Sequence, residues 1–320
     1  MLLSIVIPCY NSAHMIGKVV GLCMEEVRKI PDMELEMILV NDCSPDDTYG
    51  AICRLAEEYP FVRGINLAKN FGQHNAIMAG LQHASGDLVM GMDDDLQTHP
   101  SQIPILIGKI QEGYDVVFGI FRERKFGFVK NCTSRIASFI TWHMVERPKG
   151  LEASNYWVCR KYVRDEIVRY EGYNLYLQML LFRTTNNIAN VQIEHFEREE
   201  GVSGYTFKKL FKLFIAFLNY SVVPLRMATL LGGLFSAAGF IGAIVVFVNK
   251  LIRPDTAVGW SSLMCAMLLL FGFTFLMLGV IGEYVGKLIL NQSRTPQYVI
   301  RDTVNLDREK KKEENRNGKD

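Results

Sequence analysis

The sequence predicts an α/β protein, a mostly parallel sheet with helices on both faces, followed by an apolar helical segment. Three observations carry this. Short apolar runs alternate with helical patterns through the first third of the chain, an acidic triplet follows one of those runs, and two long uncharged stretches lie in the last third.

The runs Leu3–Pro8, Leu35–Val40, Val62–Leu67, Leu88–Met92 and Val116–Gly119 read as strands. Between them Ala13–Lys29, Thr48–Tyr59, Asn75–Ala84 and Ser101–Gln111 carry helical patterns. Strands alternating with helices pair in parallel, and ligands of such sheets bind beyond the carboxyl ends of the strands. The residues at those ends are polar: Pro8-Cys-Tyr10-Asn11, Asn41-Asp42, Ala68-Lys69-Asn70 and Asp93-Asp94-Asp95. No Gly-x-Gly-x-x-Gly follows the first strand and no Walker loop occurs, which argues against dinucleotide and P-loop sites.

The triplet Asp93-Asp94-Asp95 is the most informative feature. If the strand continues through it, Asp93 and Asp95 emerge on one side. Two such carboxylates suit a hard divalent cation, which in turn grips a diphosphate. The bland alternative is a solvated acidic turn.

The formal net charge of +1 over 320 residues leaves no nucleic-acid footprint. Seven cysteines (Cys9, Cys23, Cys43, Cys53, Cys132, Cys159 and Cys265) form no Cys-x-x-Cys pair, which fits a reducing compartment. Leu2 to Pro8 is too short and too β-like for a signal peptide, so the N-terminal domain is expected in the cytoplasm.

Met227 to Asn249 and Thr256 to Gly282 contain no charged residue, and each is long enough for a bilayer core of roughly 20 residues. Gly232, Gly233, Gly239, Gly242, Gly272 and Gly279 suit close helix packing in lipid. The short connector holds only Lys250 and Arg253. Lys208, Lys209, Lys212 and Arg226 precede the pair, while Lys287, Arg294, Arg301 and the run from Arg308 to Lys312 follow it. That bias predicts a hairpin with both ends inside. Just before it, Phe207, Leu210, Phe211, Phe214 and Leu218 share one helical face, as in a helix lying in the headgroup plane.

Several segments together resemble the family 2 glycosyltransferases with the GT-A fold, a Rossmann-like, mostly parallel sheet. They are Ile5-Val-Ile-Pro-Cys-Tyr-Asn11, Val40-Asn-Asp42, Asp46-Asp47-Thr48, Asn70-Phe-Gly-Gln-His74, Gly86-Asp87 and Met92-Asp-Asp-Asp-Leu-Gln97. Later segments are similar to the polyprenyl-phosphate glycosyltransferases: His195-Phe-Glu-Arg198, Gly201-Val-Ser203-Gly-Tyr205, Pro224-Leu-Arg226, Gly279-Val-Ile-Gly-Glu-Tyr284 and Arg294-Thr-Pro-Gln-Tyr298. That group includes bactoprenol glucosyltransferases of O-antigen modification, undecaprenyl-phosphate aminoarabinose-type transferases and, more remotely, dolichol-phosphate mannose synthase.

Hydropathy and charge divide the chain into an expected cytoplasmic catalytic domain over 1–205, an interfacial helix over 206–222, a transmembrane hairpin over 226–290 and a tail over 291–320. The spans fall at about 227–249 and 258–282, and the tail is expected to be disordered from about 307. The implied setting is the bacterial cytoplasmic membrane. The implied reaction is inverting, with a nucleotide sugar, a UDP-sugar by resemblance, as donor and undecaprenyl phosphate as acceptor. Pro8, Tyr10, Asn11, Asp42, Asn70, Gln73, Asp93, Asp94, Arg198 and Ser203 are implied to hold the donor. Asp95 with Gln97 and Asp93 would carry Mg²⁺ or Mn²⁺ on the diphosphate, and Arg122, Lys130 and Ser134 would hold the acceptor phosphate. Asp93 and Asp95 complete the expected catalytic set.

The acceptor is already anionic near neutral pH, so the reaction needs no general base. Asn155 stands where many relatives carry an Asp, which weakens any base assignment there. His74 and His195 read as hydrogen-bonded structural residues, without Cys or His neighbours at zinc-ligand spacing. Related proteins assemble as tetramers, so a homo-oligomer is expected. The competing readings are a processive polysaccharide synthase, a non-catalytic membrane scaffold that keeps the nucleotide pocket, and a small transporter. Absence of a Gln-x-x-Arg-Trp segment opposes the first, intact Asp42, Asp93, Asp95 and Gln97 oppose the second, and the absence of intramembrane charge opposes the third.

Overall fold

The computed structural model describes residues 1–121, 150–172, 175–194, 259–292 and 296–306, with parts of 230–252. The chain divides into two compact units. The first comprises Met1–Arg135, Glu146–Gly204 and Pro296–Asp320; the second comprises Ile136–Val145 and Tyr205–Thr295.

The first unit opens with β1 (Leu2–Cys9), α1 (Ile16–Arg28), β2 (Glu34–Asn41), α2 (Thr48–Glu58), β3 (Val62–Leu67), α3 (Gln73–His83) and β4 (Leu88–Gly91). A 3₁₀ turn (Pro100–Gln102) leads into α4 (Ile103–Gln111) and β5 (Val116–Phe121). Then come β6 (Trp157–Arg160), α5 (Lys161–Ile167), α6 (Leu177–Thr184), β7 (Ile188–Ile193) and, after the second unit, β8 (Ile300–Val304).

The eight strands form one sheet in the order β7-β5-β6-β4-β1-β2-β3-β8. β1 pairs in parallel with β2 and β4, and β2 with β3. A central parallel strand is covered on both faces, so it reads as a continuous apolar run, and β1 is buried from Leu3 to Cys9. The sheet is mixed towards its sides. β6 is antiparallel to both β4 and β5, and β8 is antiparallel to β3.

Helices cover the faces through helical stripes. In α1 these are Ile16, Val19, Val20, Cys23 and Val27. Gly80 lets α3 lie directly on the sheet, since a Cβ there would overlap the side chain of Val6. Near the strands' amino ends, Glu36 accepts from Ser4 Oγ, from Ser85 N at 2.8 Å and from Ser85 Oγ at 2.7 Å, and pairs with Arg63 at 2.7 Å. That fully satisfied buried carboxylate pins β1, β2, β3 and the loop before β4 together at the edge opposite the one described below.

In the second unit α7 (Trp260–Gln292) runs for 33 residues. Its described side chains, interrupted along the helix, include exposed Leu263, Leu270, Phe271, Phe275, Leu278 and Ile281. Taken over the described residues alone, no helix is long and apolar enough to cross a membrane. The two expected spans are therefore not seen there: 227–249 is described only in part, and the expected interfacial helix, 206–222, lies outside the described residues.

Candidate active site

Because β1, β2 and β4 run in parallel, their carboxyl ends open on one edge. The chain leaves each of them through a residue in the left-handed region: Asn11 (φ 58°), Cys43 (φ 53°) and Leu96 (φ 57°). Asparagine tolerates that conformation, whereas a buried leucine is strained there. Such turns fold the loops back across the strand ends.

Short polar side chains then stitch the loops together. Asp46 accepts from Ala13 N at 3.1 Å and from Thr48 Oγ1 at 2.5 Å, and Thr48 Oγ1 accepts from Ser12 N at 2.9 Å. Burial works to raise the Asp46 pKa, but the hydrogen bonds from Thr48 and Ala13 outweigh it and hold the carboxyl below its usual range. Asn11 N donates to Ser44 Oγ at 3.1 Å.

Asp42, at the end of β2, is 4% exposed. Its Oδ1 accepts from Phe71 N at 2.7 Å and its Oδ2 from Gly72 N at 2.9 Å, so it holds the loop that starts α3. Burial raises its pKa, and the two main-chain bonds only partly offset this.

β4 stops at Gly91, so the triplet lies in a loop and strand alternation does not orient it. This corrects the expectation that Asp93 and Asp95 leave together from a strand. A buried Trp157 packs against Gly91, where any Cβ would meet its ring at 2.6 Å. Each carboxylate instead has its own partners. Asp93 accepts from Gln73 Nε2 and from Asn155 Nδ2 at 3.2 Å. Asp94 accepts from Ser12 Oγ and from Tyr10 N at 3.4 Å, and burial pushes its pKa up against those bonds. Asp95 Oδ1 accepts from Gln97 N at 3.1 Å, which closes the turn around Leu96.

Together these loops enclose a cavity of about 360 Å³, within the range of small-molecule sites. Pro8, Cys9, Tyr10, Asp42, Asn70, Gly72, Gln73 and the three aspartates line it. Of the expected donor residues, Pro8, Tyr10, Asp42, Asn70, Gln73, Asp93 and Asp94 meet here. Asn11 and Gln97 are not in the lining. Arg122, Lys130, Ser134, His195, Arg198 and Ser203 lie outside the described residues. His74 is not in the lining either; it packs edge-on against Tyr176 at 5.0 Å, and burial lowers its pKa to about 4. Sequence reasoning missed Ser12, which donates to Asp94, and Gln178, which donates to Asn155; a lone Ser or Gln carries no pattern.

The lining has four carboxylates and, among the described residues, no Lys or Arg. Four carboxylates in one wall favour a cation over an anion. Among the described residues no group of three or more His, Cys, Asp or Glu forms a complete metal cage. A cation such as Mg²⁺ needs only one or two carboxylates, with substrate phosphates and water completing its shell. Asp93 and Asp95 offer the hard oxygen donors that it takes.

The chain is 30% identical over 315 residues to an undecaprenyl-phosphate 4-deoxy-4-formamido-L-arabinose transferase of Proteus mirabilis, covering 97% of this chain and 96% of that one. A protein of the same name from Shewanella sediminis is 29% identical, with 94% and 92% covered. The fold is similar to the crystal structure of mannosyl-3-phosphoglycerate synthase from Rubrobacter xylanophilus, with a TM-score of 0.53 at 18% identity over 71% of this chain and 74% of that one. The model of glycosyl transferase family 2 matches residues 4–171. An α/β sheet whose strand ends carry a cluster of aspartates, and a family match over more than half of the chain, place the protein in glycosyl transferase family 2.

Proposed function

We propose that this glycosyltransferase moves a sugar from a nucleotide sugar, a UDP-sugar by family likeness, to undecaprenyl phosphate, with inversion and with Mg²⁺ or Mn²⁺. The observation that carries the donor half is the cavity of about 360 Å³ with Asp42, Asp93, Asp94 and Asp95 in its wall. The acceptor half rests on near-full-length similarity to transferases whose names specify undecaprenyl phosphate.

In this reading Tyr10, half-exposed at the cavity, stacks on the nucleotide base, and Asp42 shapes the loop that receives it. Asp93 and Asp95 hold the divalent cation. The cation, when bound, neutralises charge on the departing nucleoside diphosphate. The acceptor's phosphate oxygen forms the new bond to the anomeric carbon as the bond to the diphosphate breaks, and no proton has to be taken from a hydroxyl. Asn155 fits that absence of a base, because its amide donates to Asp93 and has no basic site. Arg122, Lys130 and Ser134 are the candidate holders of the acceptor phosphate.

A lipid acceptor calls for a membrane address. The uncharged stretches 227–249 and 256–282 and the exposed apolar side chains of α7 support a hairpin anchor, with the catalytic unit at the cytoplasmic face and a homo-oligomer as the working assembly.

The test is a purified-protein assay with Mg²⁺, undecaprenyl phosphate and a panel of nucleotide sugars, following the lipid-linked product by mass, each run paired with Asp95→Ala. Product from one donor that disappears in the variant supports the reading and identifies the sugar. Nucleotide binding without product from any donor points to a scaffold that keeps only the pocket.

A further inference from the structure

A chain of amides reaches Asp93 from α6, behind the cavity wall. Both oxygens of Asp93 are held by neutral donors, Gln73 Nε2 on Oδ1 and Asn155 Nδ2 on Oδ2. Asn155 Oδ1 in turn accepts from Gln178 Nε2 at 2.7 Å. Gln178 is 4% exposed and does not line the cavity.

The direction of this chain is set at its far end. A carboxylate only accepts, so Asn155 turns its NH₂ to Asp93. Its carbonyl is then left facing Gln178, which has to donate. Turning the Gln178 amide over would set two carbonyl oxygens against each other. Gln178 Oε1 is meanwhile buried with no partner. A buried acceptor left unmade is costly, so this glutamine keeps an orientation that its own oxygen does not reward.

We propose that Gln178 is a positioning residue for the nucleotide and cation site: acting through Asn155, it fixes the Asp93 carboxylate so that the donor diphosphate and its divalent cation meet a pre-set ligand. The inference rests on the nucleotide-sugar reading above.

The experiment is calorimetric titration of UDP with Mn²⁺ into the full chain in nanodiscs, with transfer kinetics alongside. In Gln178→Glu the new carboxylate accepts from the Asn155 NH₂, which turns the Asn155 carbonyl towards Asp93. Binding of UDP with Mn²⁺ is expected to weaken about tenfold, the scale of coupling between neighbours in one network. The donor kcat/KM should fall by the same factor, with KM for the lipid acceptor unchanged. Gln178→Met, which removes the bond and keeps the volume, should lose less. In an Asn155→Ala background Gln178→Glu should cause no further loss.

Equal losses in both backgrounds, or wild-type affinity in Gln178→Glu, would overturn the relay while leaving the donor reading intact. A wild-type chain that binds no nucleotide removes the donor reading and the relay with it. If Gln178→Glu does not fold, Gln178→Met carries the same cycle.

Discussion

The carboxylate of Asp42 accepts the main-chain N–H of Gly72 at 2.9 Å, so the end of β2 holds the loop that opens α3. Asn at this position accepts with one atom and turns an NH₂ towards the other amide. Asp42→Asn should therefore weaken nucleotide binding about tenfold, the scale of one broken charged hydrogen bond, measured by calorimetry. Its pH signature has a definite sign. Burial raises the folded pKa above the ordinary 3.8, so the folded state keeps the proton longer and wild-type stability falls as pH rises from 3.8 through the raised value. Urea unfolding of Asp42→Asn should show less of that fall.

One substitution separates the cation role proposed for Asp95 from its place in the turn. Its Oδ1 closes the turn by accepting from Gln97 N, and Asn retains that acceptor. Asp95→Asn should melt within about 0.5 kcal/mol of wild type, yet lose transfer activity by about a hundredfold as cation binding fails. Restoration of wild-type rates at saturating Mn²⁺ would place the lost term in cation affinity alone.

His74 titrates in the acid range for a structural reason. Burial lowers its folded pKa to about 4 from 6.5, so its contribution to stability is intact above pH 6.5 and is lost as pH falls from 6.5 towards 4. The loss should reach about 2–3 kcal/mol at pH 4.5. His74→Phe, which keeps an aromatic contact to Tyr176, should flatten the stability profile over that interval in chemical unfolding experiments.

Glu36 tests the opposite edge of the sheet. Glu36→Ala removes the ion-pair partner of Arg63, whose side chain is only 14% exposed, and the acceptor for Ser4 and Ser85. A loss of about 3–5 kcal/mol in unfolding free energy is expected. KM for the donor should not change at temperatures where the variant is folded, because the cavity lies at the other ends of the strands.

Much of the α/β pattern was legible because buried parallel strands announce themselves. Val62–Leu67 and the start of β4 at Leu88 coincide with their apolar runs, and α2 begins at Thr48 as its pattern indicates. β6 is only four residues long, and β8 (Ile-Arg-Asp-Thr-Val) is mostly exposed at an edge, so neither shows a periodicity to read. The seven aspartate and loop residues that meet in the cavity follow from strand ends being neighbours in a parallel sheet. Ser12 and Gln178 did not follow, since Ser12 reaches Asp94 and Gln178 reaches Asn155 from far along the chain. Nor did the stop of β4 at Gly91, one residue short of the apolar run's end at Met92.

The outermost strand has a consequence for how the protein is made. β8 pairs with β3 through Gly64↔Val304 to Leu67↔Ile300, and Asn66 Nδ2 reaches Asp302 at 3.1 Å. On a translating ribosome, β3 waits with a bare edge while more than two hundred further residues are synthesised, the apolar second unit among them. The catalytic sheet is thus sealed last, by a strand delivered after the hydrophobic segments. A nascent chain stalled before Ile300 would present an open β edge, the feature that invites aggregation and draws chaperones.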